Sequence, residues 1–298
     1  MEKKSVIQKN DSHSVVGIIA TIILGLYSLT MLFTVVWALI SSVKGPFDFF
    51  DHPFGWPEEF RWKNYITAFE VIGYPISTGQ GYRTVYLFEM FGWSFLYCIA
   101  TTIITQLSRC CCAYVCAKFR RYRVARLMYN VIIIVMILPI LGNLAGSIRL
   151  AKTVGYYDNF LMHLVTCFGF TGGNVLIYYA SFKNVSWEYA EAAFMDGATH
   201  YDVLIRIMIP MIKTSLLALM LLEFKAHWND YSYIMVYQPS LPNLALGIYK
   251  MQFDNSGLAS EIPIQLAGCT LAIMPILIMY LVFQDKLIGN VAIGGLKG

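Results

Sequence analysis

The side chains best able to do chemistry in this sequence crowd into one apolar run. Between about Thr214 and Tyr237, Glu223, Lys225, His227 and Asp230 interrupt a stretch otherwise greasy enough for a bilayer, with Trp228, Asn229 and Tyr231 among them. An ionisable group at membrane depth is costly unless it faces protein or water. Glu223, Lys225, Asn229 and Asp230 are therefore candidates for a transport pathway or a protein interface. Helical spacing sorts them: Glu223 and His227 are four apart and share a face, as do Lys225 and Asn229, whereas Glu223 and Lys225 do not. One face would line a route and the other meet a partner; the bland alternative is an internal polar network that fixes helix packing. Catalysis finds no home here. His13, His52, His163, His200 and His227 are scattered, and no nucleophile stands beside a base, so no catalytic residue and no metal site are expected. The Cys110-Cys111-Cys112-x-x-x-Cys116 cluster could hold a soft metal, but adjacent helical residues point about 100° apart, and packing is the better account.

The elements that must position these groups are membrane spans. With 57% hydrophobic and 13% charged residues, the chain falls far from a soluble domain, where about 25% are charged. A bilayer core needs about 20 apolar residues per helix. Six runs qualify, at about 15–42, 90–108, 127–148, 159–182, 214–237 and 262–284, which predicts an all-α integral membrane protein of one domain spanning residues 1–298. The first run is too long for a signal peptide and lacks a small-residue cleavage site, so it is read as retained. Pro139 and Asn143 in the third run, and Gly169, Gly172 and Gly173 in the fourth, mark candidate helix breaks near the depth of the charged cluster. Lys and Arg favour cytoplasmic loops. With both termini inside, Lys3, Lys4, Lys9, Arg109, Lys118, Arg120, Arg121, Arg123, Arg126, Lys183, Arg206, Lys213, Lys286 and Lys297 fall inside, twice as many as the seven outside. The net charge of +4 thus reports topology and gives no argument for nucleic acid. No cysteine falls in an outside loop, so no disulfide framework is implied.

Two connections are long enough to carry function. The outside loop 43–89 holds four prolines, and Phe60, Trp62, Tyr65, Ile66 and Phe69 alternate with polar residues as in a short interfacial helix. The cytoplasmic region 186–210 reads as helix, glycine elbow, helix. Ser186 caps, Glu188 and Glu191 complement the helix dipole, and Ala190, Ala192 and Ala193 favour helix. Gly197 stops it. Thr199 with Asp202 forms a variant capping box for a second helix bearing Leu204, Ile207 and Met208, before Pro210 breaks the pattern. Small side chains at Ala192, Ala193, Gly197 and Ala198 offer no chemistry, only close approach to another protein.

Glu191-Ala192-Ala193-x-x-Asp196-Gly197-Ala198 resembles the EAA motif of membrane subunits of binding-protein-dependent ATP-binding-cassette (ABC) importers, in the form typical of carbohydrate importers of the maltose-permease type. Trp228-Asn229-Asp230 and the ending Gly294-Gly295-Leu296-Lys297-Gly298 agree, and the likeness runs from about the second span to the last residue. Ser186 stands where that family commonly has Pro. The resemblance implies a type I ABC importer permease fold in a bacterial plasma (inner) membrane, multi-pass, with both termini cytoplasmic. It implies that Glu191, Ala192, Ala193, Asp196, Gly197 and Ala198 form a coupling helix seated on an ATPase. The terminal residues Gly294, Gly295, Lys297 and Gly298 would reach toward the same interface. Its partners would be a second permease subunit in a heterodimer, an ATPase dimer, an extracellular solute-binding protein and a sugar. The chain carries no Gly-x-x-x-x-Gly-Lys-Ser/Thr loop, so ATP and Mg would sit on the partner ATPase and this chain would bind no cofactor. For a sugar, Trp228, Tyr231 and Tyr233 would add stacking surface, and Asn143 joins the pathway candidates. An ion-coupled secondary carrier of a small polar solute is the competing class; six spans without a recognisable inverted repeat are few for one.

Overall fold

The computed structural model describes residues 15–79, 81–138, 142–253 and 257–291. Helices dominate, because a lipid-embedded backbone must satisfy its own hydrogen bonds. In chain order α1 is Val15–Ser42, α2 Pro46–Asp51 and α3 Lys63–Val71. A hairpin of β1 (Gly73–Thr78) and β2 (Gly81–Tyr86) leads into α4, Leu87–Lys118. Then follow α5 (Arg123–Ile137), α6 (Leu144–Val154), α7 (Phe160–Thr166), α8 (Gly173–Asn184) and α9 (Glu188–Met195). A composite helix comes next: α10 (His200–Asp202), a π-helical stretch Val203–Met208 and α11 (Ile209–Met211). The chain closes with α12 (Lys213–Trp228), α13 (Tyr231–Tyr237), α14 (Leu244–Met251) and α15 (Ile262–Val291).

Three described helices are individually long and apolar enough to cross a bilayer: Gly17–Ser42, Leu87–Lys118 and Ile262–Gln284. The runs at 127–148, 159–182 and 214–237 are not continuous rods. Each is laid down as two shorter helices, α5 with α6, α7 with α8, and α12 with α13. One break falls between Ile137 and Leu144, with Asn143 just before α6 and Pro139 outside the described residues, and another where Gly169 to Gly173 mark it. Gly172, at φ +118°, adopts a backbone that L side chains resist, and α8 begins at the next residue. The third break, at Asn229 and Asp230, follows from local chemistry: Asp230 Oδ1 accepts the Tyr233 N–H at 2.9 Å and so caps a new helix.

The second span corrects the sequence boundary most. It continues ten residues past Ser108, because the charge that ended the uncharged run, Arg109, lies within the helix and is paired inside the protein. Arg109 is therefore not an inside-loop charge. In the loop 43–89, α3 forms over part of the predicted stretch: it takes in Tyr65, Ile66 and Phe69 but begins at Lys63, after Phe60 and Trp62, and Ile66 is exposed. The hairpin was not anticipated. Its strands pair antiparallel from Gly73 opposite Tyr86 to Thr78 opposite Gly81, a short departure from the all-helical class.

Helix α4 is the spine. It packs against α8 and α12, and its buried residues enter two separate cores. In the first, Leu87, Met90, Tyr97 and Cys98 meet Ile72, Trp228, Ile234, Leu246 and Ala267. In the second, Cys110, Cys112, Tyr114 and Cys116 meet Tyr178, Phe182, Ala190, Val203, Met208 and Leu219. Three of the four clustered cysteines are thus buried core, while Cys111 is exposed on the opposite side. Helix α1 is exposed from Ile18 to Val36, is covered toward its end where Ser41 and Ser42 are buried, and leans on α15, as a lipid-facing helix does.

Candidate functional site

Two sites emerge, one at the helix–elbow–helix and one within the bundle. At the elbow, α9 ends in a Schellman motif. Ala198 N–H donates to Ala193 O at 2.9 Å and Gly197 N–H to Phe194 O at 3.0 Å. The motif requires a left-handed residue, and Gly197 supplies it at φ +83°. At the start of α9 the residue next to the helix is Trp187, and Ser186 Oγ accepts the Glu188 N–H at 3.3 Å from one position further out. The second arm opens on a full capping box: Asp202 N–H donates to Thr199 Oγ1 at 3.2 Å, and Asp202 Oδ2 accepts the Thr199 N–H at 3.1 Å and its hydroxyl at 2.6 Å.

Those bonds to the ionised form hold the Asp202 carboxyl below its usual range, with Arg206 adding a smaller contribution. A depressed folded-state value means the cap's support is fully present above the unfolded carboxylate pKa of about 3.9 and is lost as pH falls through the lower, folded value. Hydrogen exchange should therefore show the Thr199 and Asp202 amides losing protection below about pH 4, and Asp202→Asn should abolish that acid-dependent loss. Acid-independent protection in the unmodified chain would contradict the cap.

One face of the elbow is anchored and the other is free. Ala190 is fully buried in the second core, and Ala193, Phe194 and Ala198 pack against it. Glu191, Ala192, Asp196 and Gly197 are exposed, and Tyr189, Met195 and Tyr201 stand around them as large exposed side chains. Sequence reasoning stressed the small residues and missed these three. The composite helix His200–Met211 then meets α12 at 78°.

Within the bundle, Glu223 is the hub of a network. Arg109 Nη1 approaches Glu223 Oε1 at 2.9 Å, while Gln106 Nε2 and Asn174 Nδ2 donate to Oε2 at 3.1 and 3.0 Å. Tyr178 donates to Gln106 Oε1 at 2.8 Å, and His227 Nε2 lies 3.8 Å from Glu223 Oε1. These contacts tie α4, α8 and α12 together. Gly172 bears on the same group, since a Cβ there would sit 3.5 Å from the Arg109 guanidinium carbon. The partners Gln106, Arg109, Asn174 and Tyr178 were missed in the sequence; an arginine directly ending an uncharged run was the available signal.

The remaining fifth-run residues divide by role. Trp228 is buried, donates its indole N–H to Ala272 O at 3.0 Å, and packs among Phe91, Phe95 and Phe224. Asp230 is spent on capping α13, accepting also from Ser232 Oγ at 3.0 Å. Lys225, Asn229 and Tyr231 do come together, along a cleft of about 420 Å³ between α12, α14 and α15. Asn143 is exposed before α6 and joins neither group. Gly294, Gly295, Lys297 and Gly298 lie outside the described residues.

Residues 110–291 match the family described as the binding-protein-dependent transport system inner membrane component. The chain belongs to that family. This permease is 23% identical over 283 residues to the probable ABC transporter permease protein YurM of Bacillus subtilis (strain 168), covering 93% of this chain and 87% of that protein. It is 22% identical over 274 residues to the diacetylchitobiose uptake system permease protein NgcG of Streptomyces coelicolor, covering 90% and 85%. Its fold resembles a chain in the crystal structure of a bacterial ABC transporter involved in the import of the acidic polysaccharide alginate, with TM-score 0.75, 20% identity, and coverage of 96% of this chain and 99% of that one. The permease is thus a membrane-spanning subunit of an ABC importer, not an enzyme, working with an ATPase and a substrate-binding protein. Family membership weighs against the ion-coupled carrier.

Proposed function

We propose that this chain is one half of a heterodimeric permease that imports sugars or oligosaccharides, with both termini in the cytoplasm. The observation that carries the reading is the elbow itself: a glycine-ended, double-capped pair of helices, anchored on one face and bare on the other, that meets α12 at a steep angle. Glu191, Ala192, Ala193, Asp196, Gly197 and Ala198 serve as the coupling helix, with Tyr189, Met195 and Tyr201 filling the groove of an ATPase that holds the ATP and Mg. Closure of the ATPase dimer moves the elbow as a rigid body and rocks the bundle between inward-open and outward-open forms. The tail bearing Gly294, Gly295, Lys297 and Gly298 reaches the same interface. Similar permeases named for diacetylchitobiose and maltodextrin support the sugar class.

The test is uptake in proteoliposomes holding both permeases, the ATPase and the solute-binding protein. Uptake of the sugar that calorimetry identifies on the binding protein should survive collapse of ion gradients and stop when ATP is depleted. Uptake that follows the ion gradient without ATP, or a binding protein that takes no sugar from a broad panel, would overturn the reading.

A further inference from the structure

Among the described residues, Lys225 is a cation without a countercharge. It is exposed on α12, one turn before the break at Asn229, and no hydrogen bond or ion pair to its ammonium exists among the described residues. The two acids nearest in sequence are committed elsewhere. Glu223 points to Arg109, Gln106 and Asn174, and Asp230 caps α13. Among the described residues, the lining of the cleft that Lys225 borders contains no Asp or Glu. An ionisable residue in an apolar run that faces a cleft rather than a protein partner is by default a functional-site candidate, and Lys225 is left open to an anionic ligand.

What surrounds the lysine narrows the ligand. Tyr231 and Tyr249 stack at 4.3 Å between centroids, 13° from parallel, and present an aromatic wall. The amides of Asn229 and Gln252 line the same cleft, and Trp228 forms part of its floor. Asn229 Nδ2 donates to Lys225 O at 3.1 Å, which leaves its carbonyl oxygen to accept a hydroxyl. At about 420 Å³ the cleft falls in the range of about 300–1,000 Å³ that ligand clefts occupy. Aromatic faces with amide donors and acceptors suit a saccharide ring, and one fixed positive charge suits a carboxylate on that ring.

We propose that this cleft is a cargo subsite for an acidic saccharide, with Lys225 the specificity-determining contact to its carboxylate. The proposal rests on the sugar-importer reading and goes further in naming the charge of the cargo. Lys225 would pair with the carboxylate, and the tyrosines would lie against the ring.

The complete assembly, reconstituted in proteoliposomes with its solute-binding protein, should be given a panel of uronic-acid mono- and disaccharides, digalacturonate among them, and their neutral hexose counterparts. Uronate uptake should be ATP-driven. Lys225→Met should lower it about tenfold at limiting cargo, the worth of a hydrogen bond to a charged group. Neutral uptake and co-purification of the second permease should be unchanged, and Lys225→Arg should restore most of the loss. Import of neutral sugars alone overturns the acidic assignment and leaves the sugar reading standing. Import of no saccharide overturns both. An equal loss for neutral and acidic cargo, or loss of the partner permease, would make Lys225 an interface residue instead.

Discussion

Replacing Gly197 by valine is expected to abolish cargo-stimulated ATP hydrolysis while leaving the permease in the membrane. The argument has two separable parts. At φ +83° the backbone occupies a region that costs an L residue about 1–2 kcal/mol and a β-branched residue more, so the Schellman hydrogen bonds at the end of α9 would be strained or broken. That alone is about a tenfold shift in the population of the native elbow. A Cβ at Gly197 would meet nothing within 4 Å in this chain, so any further loss must come from the surface that the elbow docks against. Asparagine separates the parts, because it tolerates the left-handed conformation yet adds bulk. Strain alone predicts that Gly197→Asn keeps most stimulation; close approach of an ATPase predicts that it fails as valine does. Hydrolysis by the reconstituted assembly, with and without cargo, reads both variants. Full stimulation in Gly197→Val would remove the elbow from the coupling path.

The elbow was legible because its signals are local. Capping by Thr199 and Asp202 and termination at Gly197 depend on residues within four or five positions, and the backbone bonds reproduce them. The apolar runs were equally plain, since composition alone predicts burial in lipid. What escaped was long-range or short and amphipathic. Glu223 finds its partners 49, 114 and 117 residues away, and no spacing rule links Arg109 or Gln106 to it. Counting Arg109 among loop charges followed from treating every arginine as solvated, a rule that fails once a carboxylate is supplied from another helix. The β1–β2 hairpin hid inside a proline-bearing loop, although Tyr74, Ile76, Tyr82 and Val85 bracket the glycine-rich Gly79 to Gly81 as hairpin strands do. The sorting of Glu223 and Lys225 to different faces needed only helical geometry; which of them meets α4 and α8 needed the partners.

Arg109→Met is expected to destabilise the permease by about 3 kcal/mol, and Glu223→Gln by a comparable amount. Removing one member of a buried pair strands the other without a counterion. Restoring apolar balance should undo much of this: Arg109→Met combined with Glu223→Gln should cost clearly less than the two single losses added together, a coupling of about 1–3 kcal/mol. The pair's side chains are only about a fifth exposed, at 20% and 18%, whereas Arg83–Glu89 at 2.6 Å is 58% and 49% exposed and gives a built-in control. Arg83→Met should cost under about 1 kcal/mol, since a surface ion pair exchanges water for little. The network is also not fully satisfied, because Arg109 Nε has no hydrogen-bond partner among the described residues. Stability alone is then a weak reason for placing these groups at membrane depth. Their geometry supplies a stronger one, since one carboxylate holds α4, α8 and α12 in a single register beneath the elbow. If that register transmits movement, the double variant should regain its melting midpoint without regaining cargo-stimulated hydrolysis. Midpoint and hydrolysis recovering together would reduce the network to packing, and single variants no worse than Arg83→Met would show that the pair is not formed in the folded assembly.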